Sequence, residues 1–458
     1  MNEIDTLTQT MDLNRYPLSM QQARLWALQG TSQAYYTQCT ICLEGALNIA
    51  ALLYAFQHMV ERHEILRTTL QRQPDRELPV QVVSSPVEVS SPLIDLIHVP
   101  ASSQAILLNM CLASSQQTAK NTDAPSPLLA YVIRISSEKH LILLCLPAFF
   151  ADGYALIEMT AELSRIYASR MKGIDPANEP MQYADVSDWQ NEALTSEEGM
   201  TLRQYWRHID LSQLPAIHLL FEQEGAEKAS CTEVERKNIF APSLIVQSVE
   251  EQSANQVTLL AQHYAVSLDA LLLSCWEVLL WQLSGQRNLI IGLACNGRNK
   301  DEFMDALGLY TRFVPVETHL QENQSFEQVL ATVHKTLLET TRRQTYFTWD
   351  SPPTNTPTTP LAPPPFFPFC FEYERWPAPF IAENILFSLD QRACCIEPFS
   401  LKLNILLVAT HLRLELHYDP QNICMAFAQR VVTLLNTLLA QVLAQPQTLL
   451  GQLPPLTF

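Results

Sequence analysis

Glycine is scarce in this sequence, with 11 among 458 residues. Loops that cradle phosphate groups depend on glycine, and the chain contains no P-loop, no G-x-G-x-x-G after a strand and no H-E-x-x-H. The sequence therefore predicts no bound nucleotide, metal or redox cofactor.

Positive charge is also in short supply. The 29 basic residues face 47 acidic ones, which leaves a formal net charge of −18. No basic patch dominates such a field, so a polyanion-binding surface and a nucleic-acid partner are excluded.

Targeting and membrane signals are missing as well. Residues 1–19 are polar and lack an apolar core, and no apolar stretch near 18 residues is free of polar interruption. The run LDALLLSCWEVLLWQLSG (268–285) is predicted to be a buried amphipathic helix. We expect a cytoplasmic protein with no membrane partner.

A second C-x-x-C pair is absent although the chain has 11 cysteines. Most lie in apolar runs, and no C-x-x-C pair is followed by a second, so neither a zinc site nor a disulfide framework is indicated. The adjacent Cys394 and Cys395 are interpreted as incidental.

The length and the 47% hydrophobic content predict two cores, since single cores stop growing at roughly 250–300 residues. In the first half, strands are predicted at 36–44, in LRTTL (66–70) and in two apolar runs around the turn-like SSEK (136–139), with a helix capped by Asn48 and another starting at Asp152.

The second half repeats this alternation after a polar, irregular stretch near 190–250. Helices are predicted at 252–264, 268–283 and 326–343, with Ser267 and Ser325 as candidate caps. Strands are predicted in NLIIGLA, FVPVETH, FCFEY and the pair LKLNILLV and LRLELHY. The proline-rich 352–368 is predicted to be an extended loop.

Several motifs follow one another along the chain: YPLSMQQARLWAL (16–28), RHEILRTTL (62–70), Asp152-Gly153, MQYADVSDWQ (181–190), IIGLACNGR (290–298) and LGLYTRFVPV (307–316). Together they resemble the condensation domains of non-ribosomal peptide synthetases. The resemblance covers essentially the whole chain.

The resemblance implies a mixed α/β fold of two chloramphenicol-acetyltransferase-like lobes that form a V around a tunnel. We place the N-terminal lobe at 1–190, the connection and start of the second lobe at 191–250, and the C-terminal lobe at 251–445. Residues 446–458 resemble a linker toward an adenylation domain. Phosphopantetheine arms of partner carrier proteins would enter the tunnel as substrate carriers, without a bound cofactor.

The family's active-site motif has two histidines, three further residues and then Asp-Gly. Aligned on Asp152 and Gly153, the histidine positions hold Pro147 and Ala148. A positioned acid or base contributes about 10²- to 10⁴-fold to rate, and neither replacement can move a proton. Heterocyclisation domains place an aspartate at the first position, which Pro147 does not match. No catalytic residue is assigned.

Asp152 is mainly structural in the family, where it pairs with an arginine of the second lobe, and Arg298 matches that arginine. An Asp before a helix is otherwise a plain N-cap, worth about 1 kcal/mol, and the two roles can coexist. The resemblance also makes Arg62, His63 and Arg67 structural.

Three further positions are tunnel-lining candidates. Tyr154 follows the motif and could place its hydroxyl near the site. A phenol is a poor base at neutral pH, so packing of the ring on the tunnel wall is the preferred interpretation. Arg312 replaces a usual asparagine and either enters the channel or extends to solvent. Ser400 stands where the family often has an aspartate.

Cys145 and His140 are the two candidates for a substitute catalytic group. Cys145 has apolar neighbours that raise a thiol pKa, so it is interpreted as a core residue. His140 begins the same strand, about 25 Å of extended chain from position 148, and is expected at the surface or at a strand edge.

We expect a condensation-like domain without normal His-dependent amide formation, which docks carrier and adenylation partners in a loading or early module. The alternative is an acyltransferase that forms an amide or ester by proximity alone. A starter domain would need the missing histidine, and unrelated acyltransferase chemistry on the same fold stays open.

Overall fold

The computed structural model describes most of the chain, and it comprises ten α-helices and fifteen strands over that part. The described residues are 14–28, 32, 34–74, 76–119, 122, 124, 126–174, 179–211, 214, 240–349 and 364–454. They divide into two compact units, each with its own six-stranded sheet.

The first unit contains Met1–Ser196, Asn296–Thr311 and Pro377–Ile396. Its strands are β1 (Arg15–Tyr16), β2 (Tyr36–Glu44), β3 (Thr68–Gln71), β4 (Val80–Val83), β5 (Leu93–Asp95), β6 (Leu129–Arg134), β7 (Lys139–Pro147), β12 (Phe380–Ala382) and β13 (Ile385–Cys394). Its helices are α1 (Met20–Leu28), α2 (Ile49–Arg62), α3 (Ala101–Thr118), α4 (Gly153–Lys172) and α5 (Tyr183–Thr195).

The main sheet of this unit has the order β12-β13-β2-β7-β6-β5. β2 and β7 are central and antiparallel, and their register pairs Tyr36 with Pro147. α2 and α4 pack on each other, and α4 also packs on β2 and β13. A separate three-stranded sheet has the order β1-β4-β3.

The second unit contains Glu197–Cys295, Arg312–Trp376 and Glu397–Phe458. Its helices are α6 (Glu197–Trp206), α7 (Glu251–His263), α8 (Leu268–Ser284), α9 (Phe326–Arg343) and α10 (Met425–Ala444). Its strands are β8 (Ser243–Ser248), β9 (Asn288–Cys295), β10 (Arg312–His319), β11 (Phe369–Trp376), β14 (Leu401–Val408) and β15 (His411–Tyr418), in the sheet order β10-β9-β11-β14-β15-β8.

Both units are discontinuous in sequence. Residues 296–311 and 377–396 return to the first unit, and the second return supplies β12 and β13 to its sheet. The predicted lobes at 1–190 and 251–445 were continuous and did not include these returns, because strand pairing between distant segments leaves no local pattern in the sequence.

Most predicted elements are confirmed. β2 has the predicted bounds, β6 and β7 form the antiparallel hairpin, and α9 has the predicted bounds. Asn48 caps α2 by accepting from the amide of Ala51, and Ser325 forms a capping box with Gln328. Ser267 precedes α8 but makes no side-chain cap bond.

Two predictions on elements need correction, and a third is not tested. The stretch expected to be irregular near 190–250 contains the end of α5, all of α6 and β8. In LRTTL the strand begins only at Thr68, because Glu64–Arg67 forms a 3₁₀ turn. Most of the proline-rich 352–368 lies outside the described residues.

The apolar helices of the second unit pack in its core. α8 is buried along nearly its whole length, as predicted for 268–285. α10 is long and apolar enough to cross a bilayer by length and composition, and so is the bent pair of α7 and α8. α10 nevertheless packs on α8 and β15, and eight of its side chains are buried.

Candidate functional site

The motif that holds Asp152 lies at the junction of β7 and α4. β7 ends at Pro147, and the connection Ala148–Ala151 is buried throughout. The amide of Ala148 donates to the Tyr35 carbonyl at 3.2 Å, and the Thr37 hydroxyl donates to the Ala151 carbonyl at 2.8 Å. The connection is therefore fixed by hydrogen bonds to its backbone, and it contains no titratable side chain.

Asp152 is fully buried and caps α4 by accepting from the amide of Ala155 at 2.8 Å. Arg298 donates to both carboxylate oxygens, at 3.0 and 3.2 Å. The amides of Tyr310 and Thr311 donate to Oδ2 at 2.9 and 2.8 Å, and the Thr311 hydroxyl does so at 2.9 Å. The capping and ion-pair roles thus coexist in one side chain.

These contacts decide the charge state of Asp152. Burial alone raises the pKa of its carboxyl, but the Arg298 guanidinium and the donated hydrogen bonds outweigh burial, so the net pKa lies below its ordinary value. Asp152 is a carboxylate at neutral pH with its acceptor sites occupied. Such a group orients the chain and is a poor proton acceptor.

Arg298 also contacts two aromatic rings. Its guanidinium carbon lies 4.6 Å from the centre of the Tyr154 ring and 4.3 Å from that of Tyr310. Tyr154 is therefore a packing partner of the cation, and burial raises the pKa of its phenol. The resemblance places this arginine in a second lobe, whereas here Arg298 belongs to the first compact unit, together with Asp152.

The motif RHEILR is anchored by an acid on α4. Glu162 accepts from the Arg62 Nε at 2.9 Å and contacts the imidazole of His63. Burial raises the pKa of Glu162, but the bonds from His63 and Arg62 outweigh it and lower the pKa overall. Arg67 donates to the Ser84 carbonyl at 2.5 Å. All three sequence-predicted residues thus make contacts that hold the chain in place.

Glu162 was missed by the sequence analysis. Its signal was present, because it is an acid among mostly apolar buried residues of α4 such as Met159, Leu163 and Ile166. Since a buried acid requires a partner, such a residue predicts a cation from another element.

The remaining tunnel candidates lie in the second unit. Arg312 is 8% exposed and donates to the carbonyls of Gln344 and Thr345 at 3.3 and 2.9 Å, so the prediction that it extends to solvent is wrong. Its guanidinium instead donates hydrogen bonds to carbonyls just after α9. Ser400 precedes β14, is partly exposed, and its amide donates to the Pro368 carbonyl at 2.8 Å.

The two substitute catalysts are both buried. Cys145 is 0% exposed, which confirms a core cysteine, and burial raises the pKa of its thiol to about 12. His140 is 4% exposed, so its predicted surface position is wrong. It lies on the central strand β7, where both neighbours pair, and burial lowers the pKa of its imidazole. Over the described residues, no group of three His, Cys, Asp or Glu side chains is placed to hold a metal ion.

The fold is mixed α/β, and a buried Asp-Gly pair starts α4 after the central strand β7. The sequence matches the condensation-domain family over residues 13–456. The chain therefore belongs to the condensation domains.

Similar proteins agree with this assignment. Chondramide synthase of Chondromyces crocatus is 29% identical over 337 residues, which is 72% of this chain and 8% of that protein. Bacitracin synthase 1 of Bacillus licheniformis is 23% identical over 451 residues, covering 96% of this chain and 8% of that protein. The chain spans less than a tenth of the length of these relatives.

Solved structures share the fold. The condensation domain from Monacolin K polyketide synthase has a TM-score of 0.81 at 17% identity, covering 96% of this chain and 99% of that one. The first condensation domain of the calcium-dependent antibiotic synthetase has a TM-score of 0.77 at 14% identity, covering 97% and 99%. The predicted fold class is thus confirmed.

Proposed function

We propose that this chain is a pseudo-condensation domain of a non-ribosomal peptide synthetase, which docks partner domains in a loading or early module and lacks His-dependent amide formation. The proposal is based on the difference between the Asp152 part of the motif and the two positions before it. Asp152 keeps a full set of donors, whereas Pro147 and Ala148 offer no titratable group where the family has histidines.

The burial of the connection supports this division. Ala148 is 0% exposed and its amide donates to the Tyr35 carbonyl. Hydrogen bonding therefore fixes the backbone at this position without an imidazole. Since an imidazole at this position is the family's proton-transfer group, its loss removes about 10²- to 10⁴-fold of rate. A domain that keeps only the structural contacts of Asp152 is suited to binding neighbouring domains of the synthetase.

The expected partners follow from the relatives. Their synthetases are far longer than this chain, and a four-domain non-ribosomal peptide synthetase resembles it over 96% of this chain and 34% of that protein, with a TM-score of 0.72. We infer carrier proteins with phosphopantetheine arms and an adenylation domain as partners, in the cytoplasm.

The test is a transfer assay between acyl- and aminoacyl-loaded carrier proteins, read by intact-protein mass spectrometry. The unaltered protein is compared with Ala148→His and with the double variant Pro147→His/Ala148→His. Ala151→His, which adds an imidazole to the same buried connection outside the aligned positions, is the matched control. Carrier binding and the melting temperature are measured for each protein.

We expect no transfer by the unaltered protein above the carrier-only rate, retained carrier binding, and a gain of transfer in the double variant but not in Ala151→His. Transfer by the unaltered protein would overturn the proposal in favour of an acyltransferase that works by alignment, for which effective molarities reach about 10⁵ M or more.

A further inference from the structure

β8 forms one edge of the six-stranded sheet in the second unit, and among the described strands it pairs only with β15. Proteins usually protect such edges with charged residues, proline or a very short strand, because unpaired backbone groups recruit further strands. The other three edges of the two six-stranded sheets are protected in this way. β5 and β12 have three residues each, and β10 contains Arg312, Pro315 and Glu317. β8 has six residues, SLIVQS, with neither charge nor proline.

The backbone direction along β8 follows from its pairing. The amide of Val249 donates to the Leu412 carbonyl, and hydrogen-bonding groups alternate in direction along an antiparallel strand. Ile245 therefore directs its N–H and C=O to β15, whereas Leu244 and Val246 direct theirs away from the sheet. Among the described residues, no backbone group pairs with those of Leu244 and Val246. The outer edge of β8 thus presents donors and acceptors that another strand could use.

The same two residues expose apolar side chains. Leu244 is 48% exposed and Val246 is 52% exposed. Since they are two residues apart on a strand, they lie on one face of the sheet. A strand added at this edge would therefore use the outward backbone groups and cover the apolar pair at the same time.

The sequence of β8 matches itself in antiparallel pairing. A twofold axis perpendicular to the sheet keeps each face on its own side, so residues of the same face come opposite each other. Centred on Ile245, the pairing puts Leu244 opposite Val246 of the second copy, and each such pair exchanges both of its N–H···O bonds. A shift by two residues would instead put Val246 opposite Pro242, which has no N–H, or Leu244 opposite the polar Ser248.

Charge also favours a second copy at this edge. The chain has a formal net charge of −18, so two copies repel each other over much of their surface. β8 is uncharged, and Glu250 and Glu251, which follow it, would lie at opposite ends of the paired strands. Two copies can therefore meet at β8 without like charges opposite each other.

We propose that two copies of this chain associate through β8, which pairs with itself in antiparallel orientation and joins the sheets of the two second units. One pair of six-residue strands makes a small interface, below the roughly 1,200 Å² that separates weak complexes from stable ones. The association is therefore weak and depends on protein concentration. The inference goes beyond the docking of carrier and adenylation partners and does not depend on it.

The first test is sedimentation velocity of the full chain at concentrations from about 1 µM to about 1 mM, which span weak to moderate affinities. Val246→Lys adds a charge at the outward-facing position. Ile381→Lys is the matched control, because Ile381 is an apolar residue, 79% exposed, on the edge strand β12 of the other unit. Melting temperatures establish that each protein is folded.

The second test examines the register by cross-linking. In Ile245→Cys the two Cα atoms at the centre of the pairing would lie about 4.5 Å apart, within the span of a disulfide. Gln247→Cys lies on the same face of β8, but its two copies would be about 14 Å apart. Mild oxidation and peptide mapping identify the bond, and the unaltered protein gives the background from its own cysteines.

We expect the unaltered protein and Ile381→Lys to form dimers as concentration rises, and Val246→Lys to bind at least about tenfold more weakly. The cross-link should form in Ile245→Cys and not in Gln247→Cys. A monomer at every concentration would overturn the proposal and favour a strand from another protein at this edge. Equal association of Val246→Lys, or a cross-link in Gln247→Cys alone, would overturn it as well. None of these readouts involves acyl transfer, so they are independent of the carrier transfer assay.

Discussion

The Nη1 of Arg298 lies 3.0 Å from the Oδ2 of Asp152, and both side chains are completely withdrawn from solvent. The pair joins the N-terminus of α4 to residues 296–311, which are distant in sequence but belong to the same compact unit. The rings of Tyr154 and Tyr310 also lie against the Arg298 guanidinium, which adds cation–π contacts to the ion pair. Asp152 therefore has a structural role in this unit.

Replacement of Asp152 by Ala should destabilise the protein by about 3–5 kcal/mol, because it leaves the Arg298 charge buried without a partner. Chemical unfolding in urea measures the loss. The control is Asp301→Ala, an exposed acid of the same unit, which should change the free energy of unfolding by less than about 0.5 kcal/mol. A stable Asp152→Ala protein that had lost a transfer activity would contradict the structural role.

The same pair sets an acid limit on stability. The pKa of Asp152 is lowered in the folded state, so its contribution is present above the unfolded pKa of about 3.9 and is lost as pH falls through the folded pKa. The difference in stability between the unaltered protein and Asp152→Ala should therefore be constant near neutral pH and shrink in strong acid.

Local patterns carried much of this fold. The alternation in 36–44, the turn residues between β6 and β7 and the Ser325 cap each determine an element from neighbours a few residues away. The site was only half predictable. Asp152 and Arg298 came from motif order, whereas the approach of Cys394 to Thr37 depends on a pairing between segments about 350 residues apart, for which the sequence has no local signal.

Arg312 shows a second limit of local reasoning. The sequence left open whether Arg312 enters the channel or extends to solvent, and the structure shows its guanidinium donating to the carbonyls of Gln344 and Thr345 just after α9. The bonds reconcile a full charge with burial, since hydrogen bonds to a charged group are worth about 1.5–3 kcal/mol.

Arg312→Ala should lower the free energy of unfolding by about 2–3 kcal/mol, since it removes these donors and leaves a cavity. Arg342→Ala, an exposed arginine on α9, is the matched control and should have little effect. Urea unfolding measures both variants. Equal stability of the two would show that the buried bonds contribute nothing net.

Glu277 gives the opposite pH response to Asp152. It is fully buried on α8, and burial raises the pKa of its carboxyl to about 8, with the side chain of Thr318 opposing the shift. A raised folded pKa means that the folded protein binds this proton more tightly than the unfolded chain. The contribution is complete below the unfolded pKa of about 4.3 and is lost as pH rises through about 8.

The unaltered protein should therefore lose stability between pH 6 and pH 8 by up to about 1.4 kcal/mol per pH unit from this one group. Glu277→Gln, which keeps the shape but cannot ionise, should remove that slope and be the more stable protein at pH 8. Glu317→Gln, an exposed acid on β10, should leave the slope unchanged. Urea unfolding at pH 6, 7 and 8 decides the matter, because a slope that persists in Glu277→Gln must come from another group.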